Sequence, residues 1–167
     1  GLAMEQRLGT NPYKFGLIGA TDSHTSLATA QEDNFFGKHS GAEPDPDRLA
    51  HPFMETEAGT IFGWQQVSSG LAAIWAEENT RESIFDAMAR KEVYGTTGSR
   101  MFVRFFGGWD FEADEVTRPD FIAQGYRRGV PMGGDLIEAP GTSPRFMIRA
   151  LRDPDGANLD RVQIIKG

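Results

Sequence analysis

Phe15-Gly-Leu-Ile-Gly-Ala-Thr-Asp-Ser-His-Thr25 decides how this chain is read: an apolar run from Phe15 to Ala20 stops abruptly at Asp22-Ser23-His24. A run with no polar face fits a strand covered on both sides, as in the parallel sheets of α/β folds. In extended backbone, residues two apart point the same way, so Asp22 and His24 would project together while Ser23 faces away. A carboxylate oxygen and an imidazole nitrogen both ligate zinc, manganese or iron, and both reach a shared ion at about 2.0 to 2.2 Å. A competing reading is purely local: Asp22 or Ser23 caps the turn or helix that follows, as short polar side chains do.

Working outward, Leu2, Met4 and Leu8 form a short helical pattern ended by Gly9-Thr-Asn-Pro12. Beyond Thr25, residues 26 to 31 suit one or two helical turns. Glu32 to Glu57 then carries His39, His51 and Glu43-Pro-Asp-Pro-Asp47, the composition of a long surface excursion. Isolated loop histidines are usually solvated; here they would alternatively fold over Asp22 and His24 and contribute to metal or substrate contact.

Gly70 to Ala76 is a second apolar run, ending in Glu77-Glu78. As a parallel neighbour of the first, it would open its carboxyl end on the same face, where α/β folds place their sites. Otherwise the two glutamates are a solvated acidic start to a helix. Asn79 and Glu82 resemble a capping box, with Ile84, Phe85 and Met88 lining one face of a helix to about Lys91. Val93 to Thr97, a Gly98-Ser99 turn and Met101 to Phe106 read as a hairpin. Gly95 to Arg100 offers amides, hydroxyls and the Arg100 guanidinium to an anion, although it lacks the lysine of a phosphate-binding loop and a plain turn explains it equally.

Past Gly107 the pattern is of short β-like runs: Phe121 to Gln124, Gly129 to Gly134, and Arg145 to Arg152 with Phe146, Ile148 and Ala150 on one face. Tyr126-Arg127-Arg128 reads as a solvated face. Asp153-Pro-Asp-Gly156 is a turn, and Leu159 to Ile165 returns as a strand. These runs suit an antiparallel layer following an α/β part.

The 167 residues suffice for one globular domain with a real core. A net charge of −7 disfavours binding to nucleic-acid backbones. With no cysteine, disulfides, Cys-ligated zinc and thiol nucleophiles are excluded, and neither a cytoplasmic nor a periplasmic or secreted location is favoured. No apolar run approaches the ~18 residues of a membrane span. The first residues read as mid-helix and the last follow a strand-like run, so the expectation is part of a longer protein.

Gly19-Ala-Thr-Asp-Ser-His-Thr25 resembles the final Asp-x-His motif of the PHP (polymerase and histidinol phosphatase) superfamily of metal-dependent phosphoesterases. Asn11 to Gly19, Trp75 to Glu82, Val103 to Phe111, Pro131 to Leu136 and Asp153 to Arg161 extend the likeness to an uncharacterised PHP-related bacterial family of domains of unknown function. The resemblance implies an α+β chain: residues 1–100 would be the end of a distorted β/α barrel, and 101–167 an incomplete β-rich C-terminal subdomain. It further implies Asp22 and His24 as ligands of divalent zinc, manganese or iron, with the remaining ligands supplied by earlier parts of the parent chain and the metal incompletely held by this segment. Ser23 and Thr25 would line the site, and Arg100 would contact the anion. The expected activity is hydrolysis of a small-molecule ester by metal-activated water. A noncatalytic β-rich binding or structural module is the alternative.

Overall fold

The computed structural model describes residues 1–27, 35–39, 41, 43, 45–137 and 141–166. Its described elements are helices α1 (Leu2–Leu8), α2 (Arg81–Ala89) and α3 (Phe121–Arg128) and strands β1 (Pro52–Thr56), β2 (Gly59–Phe62), β3 (Leu71–Ile74), β4 (Val93–Thr96), β5 (Phe102–Gly108), β6 (Gly129–Pro131) and β7 (Arg145–Leu151). The architecture is mixed α+β, built on three small sheets, and no closed barrel is present among the described residues. Two compact units divide the chain: Gly1–Ile18, Ala73–Gly95 and Arg100–Gly167 form the first, Gly19–Ala72 and Thr96–Ser99 the second.

In the first unit, β5 is the central strand of a sheet ordered β6-β5-β7, antiparallel to both neighbours. Phe106 of β5, Met147 of β7, Phe111 and Phe121 are buried together, with Val116 against them. α3 reaches this core because Gly125 has no side chain: a Cβ there would lie 2.5 Å from Phe106 Cγ. Phe106 meets the rings of Phe121 and Tyr126 edge-on at 5.6 and 5.1 Å, a favoured aromatic geometry.

A buried carboxylate, Glu92, gathers Arg104 at 3.3 Å and the Tyr126 hydroxyl. Arg104 donates to Tyr126 Oη at 2.9 Å and lies over the Trp75 ring at 3.6 Å. This charge cluster is tolerated inside because each ionic group meets an opposite charge or a π-face. Burial first, then the Glu92 carboxylate, pushes the Tyr126 hydroxyl up from its ordinary pKa.

The second unit holds the β1–β2 hairpin, closed by the two residues between Thr56 and Gly59. Gly59 takes φ 130°, a value that L side chains rarely adopt. The pairing slips between Pro52 and Met54, so Phe53 is an extra residue on its strand. β3 pairs with β4 in the remaining sheet.

Several expectations hold. α1 ends at Gly9 in the left-handed conformation. Asp153-Pro-Asp-Gly156 closes a turn, with Gly156 N donating to Asp153 O at 3.1 Å and Asp153 Oδ1 accepting from Asp155 N at 3.0 Å. The antiparallel layer is present in β5, β6 and β7.

Others are corrected. Phe15 to Ala20 is not a strand, and Phe15 and Leu17 are exposed, because nothing described offers the run a backbone ladder. Leu159 to Ile165 likewise makes no strand, and Val162 and Ile164 are exposed. Val93–Thr96 and Phe102–Gly108 are strands of different sheets rather than one hairpin. The Tyr94 hydroxyl links the two segments instead, donating to Met101 O at 2.9 Å and accepting from Val103 N at 3.2 Å.

Phe121 to Gln124 opens a helix, not a strand. Its buried face runs Phe121, Gln124 and Gly125, an i, i+3, i+4 stripe hidden by two residues that are not apolar. On β7 the deeply buried side chain is Met147, while Phe146 is exposed, so the core face is the opposite phase from the one expected. α2 is capped by Thr80, whose hydroxyl accepts from Ser83 N at 3.3 Å, one residue after Asn79. On that helix Ala87 is buried and Phe85 exposed. The turns expected over 26 to 31 fall largely on residues 28–31, outside the described residues.

Candidate functional site

Asp22 and His24 meet, but not through extended backbone. Asp22 adopts φ 55°, a left-handed conformation that Asp tolerates better than most residues. Its Oδ1 lies 3.1 Å from His24 Nε2. Two ligands at ~2.1 Å on neighbouring positions of one ion would stand about 3.0 to 3.4 Å apart. The observed spacing therefore fits either a shared ion or a direct hydrogen bond. Both side chains are more than half exposed, whereas Thr21, Ser23 and Thr25 alternate with them as half-buried residues.

The segment is held by contacts from residues 37 to 39. His24 N donates to Lys38 O at 2.6 Å, and His24 forms an isolated parallel bridge with His39. The two imidazole rings lie 4.4 Å apart, tilted by 35°, and His39 in turn stacks on Phe53 at 5.1 Å. The bulge in β1 thus supplies the support under His39. Among the described residues no three His, Asp or Glu groups gather as a metal cluster, so His39 stacks beside the pair without completing it.

Lys38 meets the same carboxylate from the other side. Its Nζ lies 3.3 Å from Asp22 Oδ2, donates to Ser69 Oγ, and lies 3.5 Å from Val67 O. Its side chain is only 11% exposed, so an ammonium has been drawn largely out of solvent to this place. His24 first and Lys38 second hold the Asp22 carboxyl below its usual range.

Glu43 sets the position of the 37–39 turn. Its Oε2 accepts from Lys38 N at 3.0 Å, its own amide donates to His39 O at 2.9 Å, and its Oε1 faces the Arg48 guanidinium. Gly37, at φ 135°, permits the approach: a Cβ there would lie 2.5 Å from Glu43 Cβ. Lys38, Glu43, Arg48 and Ser69 were not singled out from the sequence. The adjacent Gly37-Lys38 and the acid inside a Pro-rich loop are their only local signals.

The other sequence candidates are placed elsewhere. Ser23 N donates to Thr21 Oγ1 at 3.3 Å, and Thr25 Oγ1 meets Leu27 O and N at 3.5 and 3.4 Å. His51 pairs through Nδ1 with Asp45 Oδ2 at 3.3 Å. Arg100 belongs to the first unit, where its amide donates to Asp153 Oδ2 at 2.6 Å. Glu77 and Glu78 are exposed at the approach to α2, with Glu78 N donating to Ser83 Oγ.

Residues 1–167 match the family described as "protein of unknown function (DUF3604)". The chain belongs to the DUF3604 family. Within the curated proteins, this DUF3604 chain is similar to an uncharacterized protein of Chlamydia trachomatis serovar D, 25% identical over 153 residues. That alignment covers 87% of the chain but 24% of the relative, so the chain spans about a quarter of the length of the protein it matches. No solved structure matches it significantly. No described helix is long and apolar enough to cross a membrane.

Proposed function

We propose that Asp22 and His24 are two ligands of a divalent metal centre in a hydrolase of the PHP type, the other ligands coming from parts of the intact protein outside this chain. One observation carries the reading: Asp22 Oδ1 and His24 Nε2 stand 3.1 Å apart, on exposed side chains, at a residue in left-handed backbone. The donor set, one carboxylate and one imidazole, suits zinc, manganese or iron. When bound, such an ion supplies a nucleophilic water at neutral pH and stabilises charge on ester oxygens. The residues of this chain contribute placement. Asp22 and His24 would hold the ion, and the backbone bond from His24 to Lys38 restrains the imidazole's segment. The His39 ring covers one side of the His24 ring. The substrate class is a small-molecule ester of phosphoric or a related acid.

Calorimetric titration of the intact protein with Mn²⁺ or Zn²⁺ tests this. Tight binding is expected, weakened by an order of magnitude or more in Asp22→Asn and in His24→Ala. Hydrolysis of a generic phosphoester should fall with it. Unchanged metal content and rate in both variants would remove these residues from the site.

An open cleft of about 580 Å³ beside β7, lined by Phe111, Val116, Arg145 and Met147 among others, favours the second reading, a binding module without chemistry. On that reading Asp22 is simply the partner of Lys38. The same two variants would then leave metal content untouched.

A further inference from the structure

We infer that the free edge of β7 binds an extended peptide whose acidic residues pair with Arg145 and Arg149; the inference rests on the cleft of the second reading and is independent of the metal. β7 ends the sheet ordered β6-β5-β7, so one backbone edge pairs with β5 and the other has no strand beside it among the described residues. The cleft of about 580 Å³ is lined by Arg145, Phe146, Met147 and Ile148, four consecutive residues of β7. Side chains alternate between the two faces of a strand, so a cleft that touches all four runs along the edge rather than over one face. Backbone N–H and C=O groups on such an edge are open to a further strand, and adding one is a recurring way of capturing extended peptides.

Charge selects the occupant. From Arg145 to Arg152 the sequence has three arginines and no acid. Arg145 and Arg149, four apart, share a face of the strand, and their described hydrogen bonds go to carbonyl oxygens rather than carboxylates. Arg145 Nη1 donates to Phe111 O at 2.7 Å, Arg149 Nε to Val116 O at 3.1 Å, and Arg149 Nη2 to Val116 O and Arg118 O. A guanidinium has five N–H donors, so each arginine keeps some for a carboxylate. Met147 between them is buried and apolar, and Phe146 and Ile148 lie on the opposite face, so the three positions across from them suit apolar side chains. The matching strand therefore reads acid, three apolar residues, acid, the same in either direction. Glu112, exposed in the cleft lining, opposes the ligand's charge without cancelling two arginines. This chain's own unpaired run, Leu159 to Ile165, is a poorer match, because its one acid is followed by Arg161.

The test is fluorescence anisotropy of a labelled peptide, Gly-Glu-Val-Ile-Val-Glu-Gly, titrated with the intact protein. Saturable binding is expected, weakened about tenfold by Arg145→Gln, less by Arg145→Lys, and tightened several-fold by Glu112→Gln. Replacing both peptide glutamates by lysine should cost tenfold or more, and methylating two successive peptide amides, one of which must face β7, should abolish binding. These two peptides leave the protein unaltered, so the result does not depend on a variant folding. Hydrogen exchange of the β7 amides that face away from β5 should be fast in the free protein and slow with peptide. No binding, or equal binding of the glutamate, lysine and methylated peptides, overturns the inference. Slow exchange before peptide is added means that another strand of the intact protein already occupies the edge, and overturns it too. None of these outcomes bears on metal content, which Asp22→Asn and His24→Ala test separately.

Discussion

Glu43 Oε2 accepts the backbone amide of Lys38 at 3.0 Å, so a buried carboxylate five residues further along the chain fixes the turn that meets Asp22 and His24. Its other oxygen faces Arg48, and Arg48 Nη2 donates to Gln66 O at 2.8 Å. Glu43 thus ties the segment beside the candidate site to Arg48.

Glu43→Ala should expose that tie. It removes the carboxylate from the Arg48 guanidinium, which keeps its bond to Gln66 O, and leaves the Lys38 amide without its acceptor, a loss of about 2 kcal/mol. Urea unfolding should show the change, and the His24 ring resonances should lose their shift from the neighbouring His39 ring. A variant as stable as wild type with an unchanged His24 spectrum would show that the turn holds without Glu43.

Asp22 sets a second expectation, in acid. Its carboxyl is held below the ordinary value of 3.8 by His24 first and Lys38 second, so the folded chain holds this proton less tightly than the unfolded chain does. The associated stabilisation is present above the ordinary value and is lost as pH falls through the depressed one. Carboxyl-carbon NMR should give a low midpoint for Asp22 that rises in Lys38→Met and rises more in His24→Ala. A midpoint unmoved by either change would contradict the contacts.

Tyr126 reports at the other extreme. Burial, then Glu92, raises its hydroxyl above the ordinary value of 10.0, so the folded state keeps a proton that the unfolded chain would release. Its contribution is complete below that ordinary value and is lost as pH rises through the folded one. Ultraviolet titration should show a late tyrosine component, and Tyr126→Phe should delete it. A late component that survives the substitution would contradict the contact with Glu92.

Gly125→Ala weighs helix propensity against packing. Alanine gains up to about 1 kcal/mol in a helix interior. Here, however, the added methyl would meet Phe106 at 2.5 to 2.7 Å, and overpacking of a core costs about 1 to 3 kcal/mol. Packing wins, and a lower melting temperature is expected. A rise would show that α3 shifts away from Phe106 freely.

By itself the sequence determined the local features. A helix over residues 2–8 needed only its apolar spacing and Gly9. The 153–156 turn needed only Asp, Pro and Gly in order, and a second helix needed only a polar cap near residue 80. Asp22 and His24 were legible as a pair for the same reason: two residues apart, they meet through local backbone, even though that backbone is left-handed rather than extended.

Tertiary structure decided what depends on partners far along the chain. A strand exists only where another strand completes its hydrogen bonds, which is why Phe15 to Ala20 is not one and why β4 and β5 part into separate sheets. The buried stripe of α3 is set by Phe106, a residue on another element, and therefore admits glycine and glutamine. Lys38 and Ser69 stand 31 positions apart, and no spacing rule joins them. Only the folded loop, held by Glu43, brings an ammonium, a hydroxyl and the second imidazole to the Asp22–His24 pair.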